Sequence, residues 1–176
     1  MEGLIDRKKL RDLYYARAKE LGESSDDPTF TLRAKIKVVN NLLKEVNTGG
    51  FRFLIDELEM LGGTREGPMP LQFFLAGIGS CLLTQVTRFS AVKDIEITSL
   101  ELDIRGRMPL KEKYELGDRT SHFDEIWYTL FFESPAKSEE IIDLVHRAEK
   151  SCTATQSLKF PVNVNYKVLL NRKEIE

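Results

Sequence analysis

This chain is poor in the residues that usually announce a function. Its 176 residues include two histidines, two cysteines and one tryptophan. Cys81 and Cys152 lie far apart in sequence, and two cysteines do not make the disulfide framework of a small secreted domain. His122 and His146 stand in no CxxC or HExxH setting, so no zinc spacing is present, although a site built from both cysteines and both histidines stays open. No Ser–His–Asp pattern suggests a hydrolase, and Gly62, Gly63 and Gly67 follow neither the phosphate-loop nor the dinucleotide pattern. Neither sign of charge dominates. Lys plus Arg total 26 against 28 for Asp plus Glu, a net −2, which gives no basis for a nucleic-acid surface. The longest apolar window, Phe73–Leu83, is interrupted by Thr84 and Gln85, well short of the roughly 20 residues of a membrane span. Met1–Leu13 mixes charges and lacks the apolar core of a signal peptide. The expectation is a cytoplasmic protein with reduced thiols, no membrane and no nucleic acid as partner.

What is present is ordered hydrophobic patterning, with 41% hydrophobic and 31% charged residues, the balance of a globular domain. Residues 3–21 carry Leu10, Leu13, Tyr14 and Leu21 at helical spacing and end at Gly22. That helix is expected to lie on the body or on a second subunit, or else to be a solvated helix covering a sheet edge. With the polar linker that follows, residues 1–28 read as an N-terminal extension and 29–176 as the domain proper. From Phe30 the period becomes two: Phe30, Leu32, Ala34, Ile36 and Val38 predict a half-buried strand. Turn signals at Asn40-Asn41 and at 47–50 separate it from strands over Leu42–Val46 and Phe51–Ile55, an antiparallel meander. A central helix spans about Pro70 to Ala91 and is apolar on nearly all sides, so it is expected to be buried on nearly all sides. A strand over Ile95–Arg105 slips phase at Thr98-Ser99. A polar loop, a strand over Phe123–Glu133, a helix opened by Ser134-Pro135 and an alternating last strand through Val162, Val164, Tyr166, Val168 and Leu170 complete the chain. Strands and helices are segregated, so the class is α+β.

The stretch Gly62–Phe89 is the organising one. Gly77, Gly79 and Ser80 precede Cys81, and each glycine costs a helix about 1 kcal/mol relative to alanine, which implies close packing there. Phe74, Ile78 and Cys81 repeat at i, i+4, i+7; Ile141, Val145, Ala148 and Cys152 do so at i, i+4, i+7, i+11, provided the second helix persists that far. If the two helices pack, the thiols meet, the geometry of a two-cysteine redox centre; the alternative is that buried cysteine merely fills space. A reactive Cys81 would need a cation, because it lies about three turns inside its own helix. Arg65, in the turn before the helix, is the best placed; Arg88 lies about 10 Å along the axis and is assigned to the helix C-terminus.

GGTREGPMPLQFFLAGIGSC and HRAEKSCTATQSL, with the FDEIW strand before the second, resemble the two cysteine segments of OsmC-like proteins, the osmotically inducible and organic-hydroperoxide-resistance family. The resemblance covers roughly residues 30–171. It implies antiparallel sheets wrapped around two central helices in an intertwined homodimer, and a thiol peroxidase with no metal or organic cofactor. Organic hydroperoxide would be the substrate and a dithiol the reductant. Cys81 would be the peroxidatic thiol and Cys152 the resolving one. Hydroperoxide-reducing members carry a glutamate where this chain has Gln72, and an arginine for which Arg65 is the nearest counterpart. Thr153 stands where the family often has proline. Gln72 in place of glutamate motivates a second reading, a dimeric binding protein with weak or no peroxidase activity. Gln72 and Cys81 also fall on opposite sides of a regular helix, so Gln72 would serve a partner's site or none.

Overall fold

The computed structural model describes residues 4–176. The N-terminal helix, α1 (Arg7–Gly22), is capped by Asp6, whose Oδ1 accepts the Lys9 N–H at 3.0 Å; the expected start at residue 3 lies outside the described residues. This helix lies on the body. Arg7 pairs with Asp94 at 3.2 Å and Glu96 at 3.7 Å, Arg11 reaches Asp94 at 3.7 Å, and Tyr14 meets Phe89 edge-on at 5.8 Å.

The meander follows as β1 (Ala34–Asn40), β2 (Leu43–Thr48) and β3 (Phe51–Ile55), antiparallel in that order. The expectation of a half-buried first strand is corrected here. Strand β1 begins only at Ala34 and is exposed along its whole length, because among the described residues no layer covers its apolar face. Phe30 and Leu32 are 86% and 82% exposed. A turn then brings backbone against backbone: a Cβ on Gly67 would meet the Leu54 carbonyl oxygen at 2.4 Å, so only glycine fits.

The central helix, α2 (Pro70–Val92), is the hub against which α1, β4 (Ser99–Arg107), α4 (Ser138–Lys150) and α5 (Thr153–Lys159) pack. Among the described residues it is the one helix long and apolar enough to cross a membrane, yet its C-terminal half is core. Leu82 and Val86 are fully buried, with Phe89, Ile95, Ile97, Leu144, Ala148 and Cys152 around them. Burial on nearly all sides does not hold for its N-terminal half, where Phe73 and Phe74 stay 39% and 44% exposed. Gly79 is a packing point, since a Cβ there would press on Leu102 at 2.9 Å; Gly77 faces open space.

Strand β4 pairs antiparallel with β5 (Glu125–Glu133) in continuous register from Ser99↔Glu133 to Arg107↔Glu125. The phase slip at Thr98-Ser99 is where the strand begins: Ile95 and Ile97 are core residues of the preceding turn, not strand residues. The polar loop contains one short helix, α3 (Leu110–Lys113). The last strand is corrected most heavily. Val162–Lys167 is exposed and joins no strand, Val168 exchanges backbone hydrogen bonds with Glu176 and Ile175 at 2.8 Å each, and only β6 (Leu169–Leu170) and β7 (Lys173–Glu174) form a small hairpin. Alternation fixes which side chains share a face, but a strand also needs a neighbour to accept its hydrogen bonds.

Candidate active site

Cys81 lies midway along α2, half-buried, and Cys152 is fully buried. The second cysteine does not continue the α4 stripe as expected. Helix α4 stops at Lys150, and Cys152 becomes the residue that opens α5. Thr155 ties this corner together: its hydroxyl donates to the carbonyls of Cys152 at 3.2 Å and Glu149 at 3.3 Å, while Gln156 Nε2 also donates to the Glu149 carbonyl at 2.9 Å. The corner keeps Cys152 in the core cluster against which Cys81 packs, close enough to influence the Cys81 thiol.

Four influences act on Cys81. Burial pushes its pKa up and is the largest; the Ala154 N–H, free because it lies in the first turn of α5, donates to the sulfur and pulls it down; the Cys152 thiol pushes it up; and the positive charge of Arg88 pulls it down. The balance holds Cys81 above the ordinary thiol value, so within one chain it rests as a thiol at neutral pH. Arg88 is thus the cation that acts on this cysteine, contrary to its assignment to the helix end. It lies outside the last turn of α2, which holds no basic residue, and its Nη1 donates to Gln85 Oε1 at 3.2 Å.

The structure brings Cys81 and Cys152 together and leaves Arg65 and Gln72 apart from them. Arg65 is exposed in the turn before α2, at φ +59°, its N–H on the Glu57 carbonyl at 3.3 Å. That turn is organised by buried Asp56 instead, whose Oδ2 accepts from Thr64 N and Oγ1 at 2.8 Å each and from Glu66 N at 3.2 Å. Burial alone would raise the Asp56 pKa; the hydrogen bonds led by Thr64 outweigh it and bring it to about 2. Gln72 turns back on its own helix start, Oε1 accepting the Met69 N–H at 3.0 Å, and faces Leu102–Ile104 on the side of α2 away from the thiols. In the first turn of α2 it is Pro70 and Leu71 that line the neighbouring apolar cavity, so α2 contributes no carboxylate there.

One turn along α2 from Cys81 lies an apolar cavity of about 710 Å³, with Leu71, Phe74, Ile78, Phe123 and Ile126 in its walls together with Tyr128, Glu149 and Lys159; neither cysteine lines it. Cys81 follows Ile78 on the same face of α2, one turn further in. Lys159 Nζ donates to Glu149 Oε1 at 2.7 Å, and Tyr128 lines the same cavity. Sequence reasoning missed these three. Tyr128 read as one apolar-face residue among several in its strand, and the one available signal was Glu149 standing three residues before Cys152. Among the described residues no group of three or more His, Cys, Asp and Glu side chains is placed to hold a metal.

A two-thiol centre set between a long core helix and a short helical corner, on an α+β scaffold, is the class of protein that fold and site define. A family model described as OsmC-like protein matches residues 63–167, more than half of the chain, and the chain belongs to that family. It is similar in structure to an OsmC-like protein from Mycoplasma pneumoniae (TM-score 0.62, 21% identity, covering 76% of this chain and 89% of that one). It also resembles an organic hydroperoxide resistance protein OsmC from Legionella pneumophila (0.56, 16%, 76% and 92%) and the organic hydroperoxide resistance protein OhrB of Bacillus subtilis (0.50, 22%, 76% and 94%). At these identities the likeness is one of fold. No curated protein matches the chain in sequence.

Proposed function

We propose that this protein is a cytoplasmic thiol peroxidase for organic hydroperoxides, part of a stress response. Cys81 sulfur, as thiolate, attacks the terminal oxygen of the hydroperoxide. The O–O bond breaks, an alcohol leaves after protonation, and Cys81 becomes a sulfenic acid. Cys152 sulfur then displaces that hydroxyl, giving water and a disulfide, which a dithiol reductant returns to two thiols. The observation that carries this reading is that Cys81 packs against the core cluster holding Cys152, one turn along α2 from an apolar cavity. The family's hydroperoxide-resistance members support it. A homodimer belongs to the reading, supported by apolar side chains that this chain leaves uncovered: Phe51 at 75%, Ile36 at 62% and Val164 at 84% exposed.

One observation favours a second reading, a dimeric binding protein without efficient peroxidase chemistry: burial holds the Cys81 thiol protonated in the single chain. Dithiol-dependent consumption of cumene hydroperoxide separates the two. The peroxidase reading expects catalytic turnover by the wild type and none by Cys81→Ser. Equal rates in both proteins would overturn it, and absence of turnover in both would leave the binding protein.

A further inference from the structure

We propose that the apolar cavity selects uncharged ligands over carboxylates, and that Glu149 sets this selection by occupying Lys159 in the same wall. Applied to turnover, the selection rests on the peroxidase reading and makes uncharged hydroperoxides the preferred substrates. As a binding property it stands apart from that chemistry.

The charges in the cavity wall already have partners. Three carboxylates, those of Asp124, Glu125 and Glu149, share the wall with a single ammonium among the described residues, Lys159. Lys159 Nζ lies 2.7 Å from Glu149 Oε1. Arg107, from β4, reaches Glu125 at 3.0 Å, and Arg119, from the polar loop, reaches Asp124 at 3.5 Å. His122 donates from Nδ1 to the Thr120 carbonyl at 2.8 Å. The Lys159 hydrogen bond, the largest influence on Glu149, holds that carboxyl below its ordinary value, so the pair is charged at neutral pH.

A carboxylate that leaves water for this cavity must regain hydrogen-bond donors or lose affinity. The wall ammonium is held, and three carboxylates repel a fourth. An uncharged ligand meets neither obstacle. Leu71, Ile78 and Ile126 offer it apolar surface, and the Phe74 and Phe123 rings lie near-parallel with centroids 6.0 Å apart. Glu149 stands near the end of α4 and Lys159 ends α5, so the corner at Cys152 brings the two to one wall. The Thr155 and Gln156 side chains hold Glu149 by its backbone carbonyl, so its carboxylate can be replaced without cutting that corner.

The test uses 4-phenylbutanoate and 4-phenylbutanamide, two ligands of one shape that differ in charge. Each is titrated calorimetrically at pH 7 into wild type, Glu149→Gln and the double variant Glu149→Gln, Lys159→Ala. The wild type is expected to bind the amide about fivefold or more tightly than the acid, with both ligands shifting the Ile78 and Ile126 methyl resonances. Glu149→Gln frees the ammonium and is expected to strengthen the acid about three- to tenfold while leaving the amide within about twofold. Removing Lys159 as well should return the acid to the wild-type range. Equal binding of acid and amide by the wild type, or of neither, would overturn the proposal. So would binding that leaves those methyls unmoved, an equal shift of both ligands in Glu149→Gln (the mark of altered cavity shape), or an acid gain that survives the loss of Lys159. Selection against the acid without any hydroperoxide turnover would keep the cavity's role and sink the peroxidase. Turnover of a hydroperoxy acid and its methyl ester with equal KM, together with equal binding of the two probes, would do the reverse.

Discussion

The two ends of α2 are equally greasy and meet opposite fates. Its C-terminal half, with α4 and α5, encloses Leu82, Val86, Leu144 and Cys152 at 0% exposure. Its N-terminal half and the meander beside it leave Phe73, Phe74, Ile36 and Phe51 in solvent. Burial follows non-local partners rather than composition: α1, α4, α5 and β4 all pack on α2, and among the described residues nothing returns over β1. The closed end therefore carries the fold and the thiols. The open end is built for a cover from elsewhere, which our reading supplies as a second copy.

Substitutions at the two ends should break along that line. Leu82→Ala is expected to lower stability by about 2–5 kcal/mol, read by urea denaturation, because its site is sealed and cannot collapse freely. Ile36→Ala is expected to change the stability of the isolated chain by less than about 0.5 kcal/mol and instead weaken self-association in sedimentation. A large stability loss without a change in association would mean that the meander is core after all.

Between these ends, Asp56 anchors the turn that leads into α2. Its folded carboxyl titrates at about 2, below the ordinary value near 3.9. The stability it contributes is thus fully present above about pH 4 and is lost as the pH falls through about 2. Asp56→Asn should destabilise the protein at neutral pH and flatten its acid-denaturation curve in that window; an unchanged curve would count against the anchor. The smallest effect is expected at Asp94→Ala. It removes exposed contacts with Arg7 and Arg11, costing about 1 kcal/mol or less and vanishing in high salt.

What could be read from the sequence was what is local. The i, i+4, i+7 spacing of Phe74, Ile78 and Cys81 and the stripe of Ile141, Val145, Ala148 and Cys152 gave two helices with core-facing sides, and α2 and α4 do pack, although the stripe breaks before Cys152. Local patterning could not show that α4 would end at Lys150, since neither glycine nor proline marks the break, nor that Cys152 would open a new helix. The alternation from Val162 to Val168 is genuine, yet without a neighbouring strand it forms none. Arg88 was set aside on axial distance measured between backbone positions, although a long guanidinium side chain reaches well beyond its own turn. Tyr128 and Glu149 come from different elements, and only the folded chain sets them in the lining of one cavity.

The central claim is that Cys81 and Cys152 form one redox unit. Peptide mass mapping after a stoichiometric dose of cumene hydroperoxide tests it most directly. The account predicts a Cys81–Cys152 disulfide, with one hydrogen lost from each sulfur, that a dithiol reverses. Two free thiols, or Cys81 carried on to the sulfinic acid with Cys152 untouched, would contradict it.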